Sequence, residues 1–480
     1  MIRFSTGVRA LLGLEVLVAP LAAQGRPTLS PEVRSYVSID APVVALTNVD
    51  VVDGTGGPAQ RRQTIVLSGG RIEAVGAAGA VRIPAGAQVV DLAGHTVIPG
   101  IVGMHDHMFY TTPAFTSVQA NYSFPRLYLA SGVTTVRTTG SNAPYTELTL
   151  KAGIERGEVP GPRIHITGPY LISPGPTRYE GMYELKDEAA ARRVVRHWAE
   201  EGAEWIKVYT QITRPIFAAV VDEAHKHGLK VTGHLCSISF TEAVELGIDN
   251  IEHGFRTNSD YDPAKVADRC PASNFESLAA LDLDDGRVAA TFRAMVAKGV
   301  AMTTTTVNEQ LAPGRPGPDA RTLEAMAPWI GEQETRRRAN LDLPKPIGEI
   351  YPRMREIYPK SLRYEREFVK AGGLLGAGVD PAFAALPGFG NQRALELLVE
   401  GGFSVVEGVK VMTGNGARML GVDRDLGTVA AGKIADLVVL RGDLTANPSV
   451  IRNAVTVFKG GIGYDSAKLL ASVKGQVGIR

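Results

Sequence analysis

Cysteine is nearly missing from this chain of 480 residues: there are two, Cys236 and Cys270. So few thiols exclude a disulfide framework and leave room for one bridge at most. The spacing fixes no bridging geometry. The expectation is that the two stay unpaired, with Cys236, two residues after His234, a small buried apolar side chain. An excess of either charge is missing too. The 51 Lys and Arg residues nearly balance 50 Asp and Glu residues, and the longest basic run is Arg336-Arg337-Arg338. That balance argues against a nucleic-acid or polyanion surface. Apolar runs long enough to cross a membrane are also lacking. The one biased stretch is N-terminal, where Arg3 and Arg9 precede an apolar region from Ala10 to Ala23, broken by Glu15. It has the charged, apolar and small-residue parts of an export signal. Residues 1–23 are therefore expected to be removed, leaving a periplasmic or secreted protein.

Hydrophobic residues make up 44% of the chain, an ordinary share for a globular protein. The length exceeds one minimal domain and suits a (β/α)8 barrel of about 250 residues or more with an appendage. Short strands joined by tight turns are expected at Val43–Asp53, Thr64–Leu67 and Arg71–Val75, and again at Ala435–Leu440 and Val455–Gly460. Between them, strands alternate with helices. A helical period from Ala189 to Glu200 stops at Gly202, and the strand Trp205–Tyr209 follows. Pro215 opens a helix that Gly228 ends, before Lys230–His234. Ser239 and Glu242 have capping-box spacing, and Gly247 precedes Ile248–His253. Such βα repeats indicate a parallel sheet. The connections Arg256 to Ala290 and Asn308 to Pro359 are longer than simple links need and are expected to form a lid or substrate-binding insertions.

The chemistry-bearing residues sit at strand ends. The apolar run Val97–His107 reads as one buried strand, and His105 and His107, two apart, share a face of it. Both imidazoles can then reach one metal ion. Lys207, His234 and His253 each close a candidate strand, 27 and 19 residues apart, and Asp380 closes another from Gly373. Ends of several strands converge most simply when the strands form a ring. A lysine in an apolar strand needs a reason to be buried. Tyr110, Arg137, Tyr209 and Arg256, also near strand ends, are candidate substrate contacts. His225 and His227 lie near a helix C-terminus, whose dipole explains them.

Taken together, Pro99-Gly100 to His107, Trp205-Ile206-Lys207-Val208, Val231-Thr232-Gly233-His234, Ile251-Glu252-His253-Gly254 and Gly427 to Leu437 resemble the amidohydrolase superfamily, in its imidazolonepropionase-like and prolidase-like branches. The resemblance spans roughly residues 42 to 462. It implies a (β/α)8 barrel over 99–420 and a β-sandwich built from 42–98 and 421–462, with 463–480 as a tail. It further implies two divalent metal ions, with zinc expected from imidazole and carboxylate ligands. By resemblance His105 and His107 hold the more buried ion, Lys207 bridges both as a carbamate, His234 and His253 hold the second, and Asp380 binds metal and carries the proton. The lysine points to the binuclear, prolidase-like branch. The sequence departs from that branch after His234, where Leu235-Cys236-Ser237 stand. The implied activity is hydrolysis of an amide C–N bond in a small molecule, a dipeptide or N-acyl amino acid. Lactone or phosphotriester hydrolysis is the enzymatic alternative, and a non-enzymatic secreted metal-binding protein the other. A homo-oligomer is compatible with all three.

Overall fold

The computed structural model describes residues 26–479 apart from 177–180, 313 and 342–349. The expected export signal lies outside the described residues. The molecule is mixed α/β, with a nine-stranded sheet at one side and parallel strands alternating with helices through the rest. The nine-stranded sheet draws its strands from both ends of the chain: Val37–Ile39, Val43–Val51, Gln60–Ser68, Arg71–Ala77, Gln88–Asp91 and His95–Pro99, then Leu437–Arg441, Ala454–Lys459 and Ile462–Asp465. It thus reaches beyond residues 42–98 and 421–462 at its outer edge. Its seam is the antiparallel pairing of His95–Pro99 with Leu437–Arg441. Successive side chains there point to opposite faces. Val97, Leu437 and Val439 pack into a core with Leu46, Ile65 and Phe458, while Ile98, Val438 and Leu440 join the main core of the molecule. A strand buried on both faces has no polar positions to offer, which is why these segments read as continuous apolar runs.

Val97–His107 was expected as one strand, and the structure breaks it in two. His95–Pro99 belongs to the nine-stranded sheet and Ile101–Asp106 starts the parallel part. The chain changes sheets at Gly100, where a Cβ would stand 2.1 Å from Thr134 Oγ1, so only glycine fits the crossing.

The parallel strands are β1 (Ile101–Asp106), β2 (Val133–Thr138), β3 (Arg163–His165), β4 (Thr167–Ile172), β5 (Trp205–Val208), β6 (Lys230–Gly233), β7 (Asn250–Glu252), β8 (Ala301–Thr304) and β9 (Leu375–Ala377). One sheet has the order β3-β2-β1 and another runs β4-β5-β6-β7-β8-β9, with Tyr183–Glu184 flanking β4. The two sheets meet at both edges. Beyond β9, the Val379 and Asp380 N–H groups donate to His105 O at 2.9 and 2.8 Å, and Ser141, past β2, bridges in parallel to Pro169 on β4. The helices that cover these strands start and stop where the sequence says. Asp187 caps Glu188–Glu200, Ser239 and Glu242 form the expected capping box on Phe240–Glu245, and Gly202, Gly228 and Gly247 all take the left-handed conformation after a helix.

One expectation about the thiols is corrected. Cys236 and Cys270 form a disulfide, with Cα atoms 4.9 Å apart. Cys236 leaves the end of β6, and the connection after β7 folds back over that strand end. Ser259 Oγ donates to Cys236 O at 2.7 Å and so helps bring the two segments together.

Candidate active site

Four of the expected ligands, His105, His107, His253 and Asp380, come together at the ends of the parallel strands. His105 is the fifth residue of β1, and His107 follows it just past the strand, both buried. Lys207 sits within β5, His234 one residue past β6, His253 one past β7 and Asp380 three past β9. Ligand atoms of His105, His253 and Asp380 lie within 4.8 Å of one another. His107 Nε2 is 3.4 Å from Asp380 Oδ1, and His105 Nε2 is 3.6 Å from the same oxygen. His253 Nδ1 is 3.8 Å from Asp380 Oδ2. His234 joins through its ring, whose centroid is 4.2 Å from that of His253.

Two of these residues adopt backbone conformations that non-glycine residues rarely take: φ is +66° at His253 and +52° at Asp380. Such strain costs of order 1–3 kcal/mol each and persists where the surroundings impose it. At Asp380 the imposition is visible. Both it and Val379 hydrogen-bond to His105 O, and at Gly378 a Cβ would meet His105 N at 2.3 Å. The carboxylate is thereby pinned beside the histidine pair.

The imidazole orientations follow from their other nitrogens. His107 Nδ1 lies 3.1 Å from Gly140 O, and a carbonyl only accepts, so that nitrogen carries the proton and Nε2 presents a lone pair. His105 Nδ1 lies 2.7 Å from Glu252 Oε2, which leaves Nε2 free in the same way. Arg256 Nη2 stands 3.2 Å from His253 Nδ1, and Thr305 Oγ1 2.8 Å from that nitrogen. Burial lowers the basicity of His107, His234 and His253, which keeps them neutral and able to bind metal. For Asp380 burial alone acts upward, but His105, His107 and His253 more than offset it and hold the carboxyl well below its usual range.

Lys207 Nζ is buried with no hydrogen-bond partner. Burial lowers its pKa to about 8, against the attraction of Glu252 and Asp380 and with the repulsion of Arg137. An orphaned, partly neutral amine that feels Glu252, Asp380, His107 and His234 suits a group that is to become an anionic ligand. The donor set therefore fits divalent metal.

The four expected substrate contacts divide. Tyr209 is half-buried with its ring centroid 4.6 Å from that of His234, and Arg256 is half-buried beside His253. Tyr110 and Arg137 are corrected, because neither has surface to offer a substrate. The Tyr110 hydroxyl donates to Phe383 O at 2.5 Å and ties the turn after Asp380 to the segment after His107. Arg137 lies under the site, with Nη2 donating to Glu252 Oε1 and its guanidinium 4.4 Å from the Trp205 ring centroid.

Glu252 is the residue that sequence reasoning missed. It is fully buried and receives hydrogen bonds from Arg137, Thr232 Oγ1 and Asn250 Nδ2 besides His105. Burial alone would raise its carboxyl, but Arg137, Lys207 and His105 hold it far below the usual range. A signal was there. Arg137 and Glu252 are opposite charges in two apolar strands, and buried charges come paired.

A cavity of about 810 Å³ opens from His234 and Arg256, and the Cys236–Cys270 disulfide lies on its wall.

The sequence profile of the Amidohydrolase family matches residues 96–463. Among curated proteins, an enamidase of Eubacterium barkeri is 28% identical over 208 residues, which is 40% of this chain and 50% of that protein; the chain thus matches half the length of this relative. Among solved structures, a Bifidobacterium longum protein described as a prolidase superposes with a TM-score of 0.65 at 25% identity, covering 90% of this chain and 98% of that one. A bottromycin amidohydrolase superposes with a TM-score of 0.67 at 20% identity, covering 93% of this chain and 94% of that one.

Proposed function

Since the chain belongs to the amidohydrolase family, we propose that it is a metal-dependent hydrolase that cleaves an amide C–N bond in a small molecule of the dipeptide or N-acyl amino acid class. The observation that carries this reading is the convergence of His105, His253 and Asp380 around one point, with the unpartnered Lys207 amine buried close by. The fold reading that goes with it is a closed (β/α)8 barrel. Closure is supported by the hydrogen bonds of Val379 and Asp380 to His105 and by the Ser141–Pro169 bridge, since these join the two parallel sheets.

Two divalent ions, zinc by ligand type, would be held by His105, His107, His234, His253 and Asp380, with Lys207 as a carbamate between them. When bound, such ions act as Lewis acids that polarise a carbonyl and make water more acidic. The protein's own groups do the rest. Gly140 O and Glu252 fix the tautomers of His107 and His105, so that both Nε2 lone pairs face Asp380. Asp380, anionic at neutral pH, takes the proton from the attacking water and passes it to the leaving nitrogen. Arg256, on the cavity wall, and Tyr209, against the His234 ring, orient the substrate.

Export is part of the proposal. The Arg3, Arg9 and Ala10–Ala23 pattern supports it, and so does the Cys236–Cys270 disulfide, since such bonds persist in oxidising compartments. Elemental analysis of mildly purified protein, followed by a screen of dipeptides, N-acyl amino acids, lactones and phosphotriesters, tests the function. The expected result is up to two zinc ions per chain and turnover confined to amides. Turnover of lactones or phosphotriesters without amides would replace the reaction, and a folded protein without metal affinity would remove it.

A further inference from the structure

The cavity beside His234 and Arg256 has two kinds of wall. The part next to the histidine cluster carries the His234 imidazole and the half-buried Arg256 guanidinium. It is also lined by Ile212, Leu235, Phe275 and Met354, together with the Cys236–Cys270 disulfide. At about 810 Å³ it lies in the range that encloses drug-sized ligands and is far roomier than a minimal amide substrate needs. A guanidinium on the wall favours a carboxylate, which it can take in two parallel hydrogen bonds.

The disulfide occupies a particular place in this wall. Cys236 lies two residues after His234, and Cys270 belongs to the connection that follows His253 and Arg256. That connection is also tied by Ser259 Oγ to Cys236 O at 2.7 Å and by the Arg214 N–H to Asp268 Oδ1 at 2.6 Å. Only the sulfur–sulfur bond is covalent. It holds the 258–273 segment against the end of β6, and so constrains how Leu235 and Phe275, which both line the cavity, stand relative to each other.

We infer that this cavity selects amides that bear a bulky apolar group and a carboxylate, the carboxylate paired with Arg256 and the apolar group packed against a wall set by the Cys236–Cys270 disulfide. The inference rests on the amide-hydrolase reading and extends it to a substrate class. In the reaction the water oxygen bonds to the acyl carbon, the C–N bond breaks, and the nitrogen keeps the electron pair and takes a proton. A carboxylic acid and an amine result, with no oxidant or reductant required.

The test separates binding from turnover. On the metal-loaded full chain, kcat/KM is measured for N-acetyl-, N-hexanoyl- and N-phenylacetyl-L-alanine. Dissociation constants are measured for methyl-, hexyl- and benzylsulfonyl-L-alanine, which cannot be hydrolysed in this way, and for benzylsulfonyl-L-alaninamide. Affinity is expected to rise at least roughly tenfold from the methyl to the benzyl compound and to fall at least roughly tenfold when the carboxylate becomes an amide. In the Cys236→Ser/Cys270→Ser variant the benzyl-to-methyl ratio should shrink by about fivefold or more. Phe275→Ala, which keeps the disulfide, should shrink it too, and supplies the reading should the double variant not fold. Equal affinities along the series overturn the cavity inference, and an unchanged ratio in the folded double variant overturns the role of the disulfide. Size-dependent affinity without turnover of any amide supports the cavity and counts against the hydrolase reading alone.

Discussion

Glu252 and Asp380 both face His105, one from beneath and one from the mouth of the site, and they are built for different work. Glu252 has no exposed surface and meets Nδ1 at 2.7 Å through Oε2, while Arg137, Thr232 and Asn250 all donate to Oε1. Asp380 keeps 29% of its side chain exposed and stands 3.6 Å from Nε2, with Asn308 Nδ2 at 3.5 Å. A carboxylate with no exposed surface and four donors around it cannot reach a substrate proton, but it can hold an imidazole in one tautomer. One with room around it can do the reverse. The lowered pKa of both is therefore no guide to role, and the geometry decides.

Lys207 lies between the two, attracted by both, and its removal should have the largest effect. Lys207→Ala is expected to lose metal and nearly all activity, measured by elemental analysis and turnover. Partial recovery on adding a short carboxylic acid would follow if the lost group is an anionic bridge. A variant that keeps two ions would show that the lysine serves only as a countercharge to the carboxylates.

Asp380→Asn tests the mouth of the site alone. Shape and one ligand oxygen survive, so fold and much of the metal should be retained, while kcat falls by roughly 10² to 10⁴-fold, the usual range for a positioned acid or base. Comparable kcat in a metal-replete variant would give the proton to another group and erase the contrast with Glu252.

Beneath the site the expected losses are of stability and affinity. Glu252→Gln leaves the Arg137 guanidinium buried without its ion pair, a change that costs about 3–5 kcal/mol in buried settings. It also loosens His105, for which metal affinity should drop about 10- to 100-fold. The sign with pH is set by the depressed carboxyl. Folding stability from Glu252 is fully present above its unfolded value near 4.5 and is lost as pH falls towards the lower folded value. The stability gap between wild type and Glu252→Gln, followed by denaturant melts, should hold steady above about pH 5 and narrow below about 4.5.

The same contrast explains what was legible in the sequence. Residues at the mouth announce themselves, because metal ligands need His, Lys and Asp at strand ends and few other uses put them there. His105, His253 and Asp380 stand in one tight group with His107 Nε2 3.4 Å from Asp380, His234 meets that group through ring contact with His253, and Lys207 is buried without a hydrogen-bond partner. Residues beneath the site do not announce themselves. Glu252 looks like a strand residue beside a ligand, and Arg137 like a strand-end contact, until their strands are seen to share one interior. The break at Gly100 was hidden for a related reason: two strands buried on both faces have the same apolar pattern as one. The disulfide was hidden because its partners lie 34 residues apart, across a connection whose path depends on tertiary contacts.

The smallest expected effect asks whether the network around Glu252 fails in steps or all at once. Thr232 Oγ1 donates to Glu252 and accepts from Asn250 Nδ2 at 2.9 Å, while Asn250 Nδ2 also reaches Glu252 Oε1 at 2.8 Å and Thr303 Oγ1 at 3.0 Å. Thr232→Val keeps the volume and removes one donor of four, and Asn250 retains two other acceptors. A neutral hydrogen bond contributes about 1 kcal/mol net, and one to a charged group somewhat more. The expected loss is thus about 1–2 kcal/mol in denaturant melts, with metal affinity down by less than about tenfold. Buried polar networks can also lose more than the sum of their pairs. If Thr232→Val matched Glu252→Gln in either measurement, Glu252 would be one member of a cooperative unit rather than its centre, and the contrast with Asp380 would be between a network and a residue.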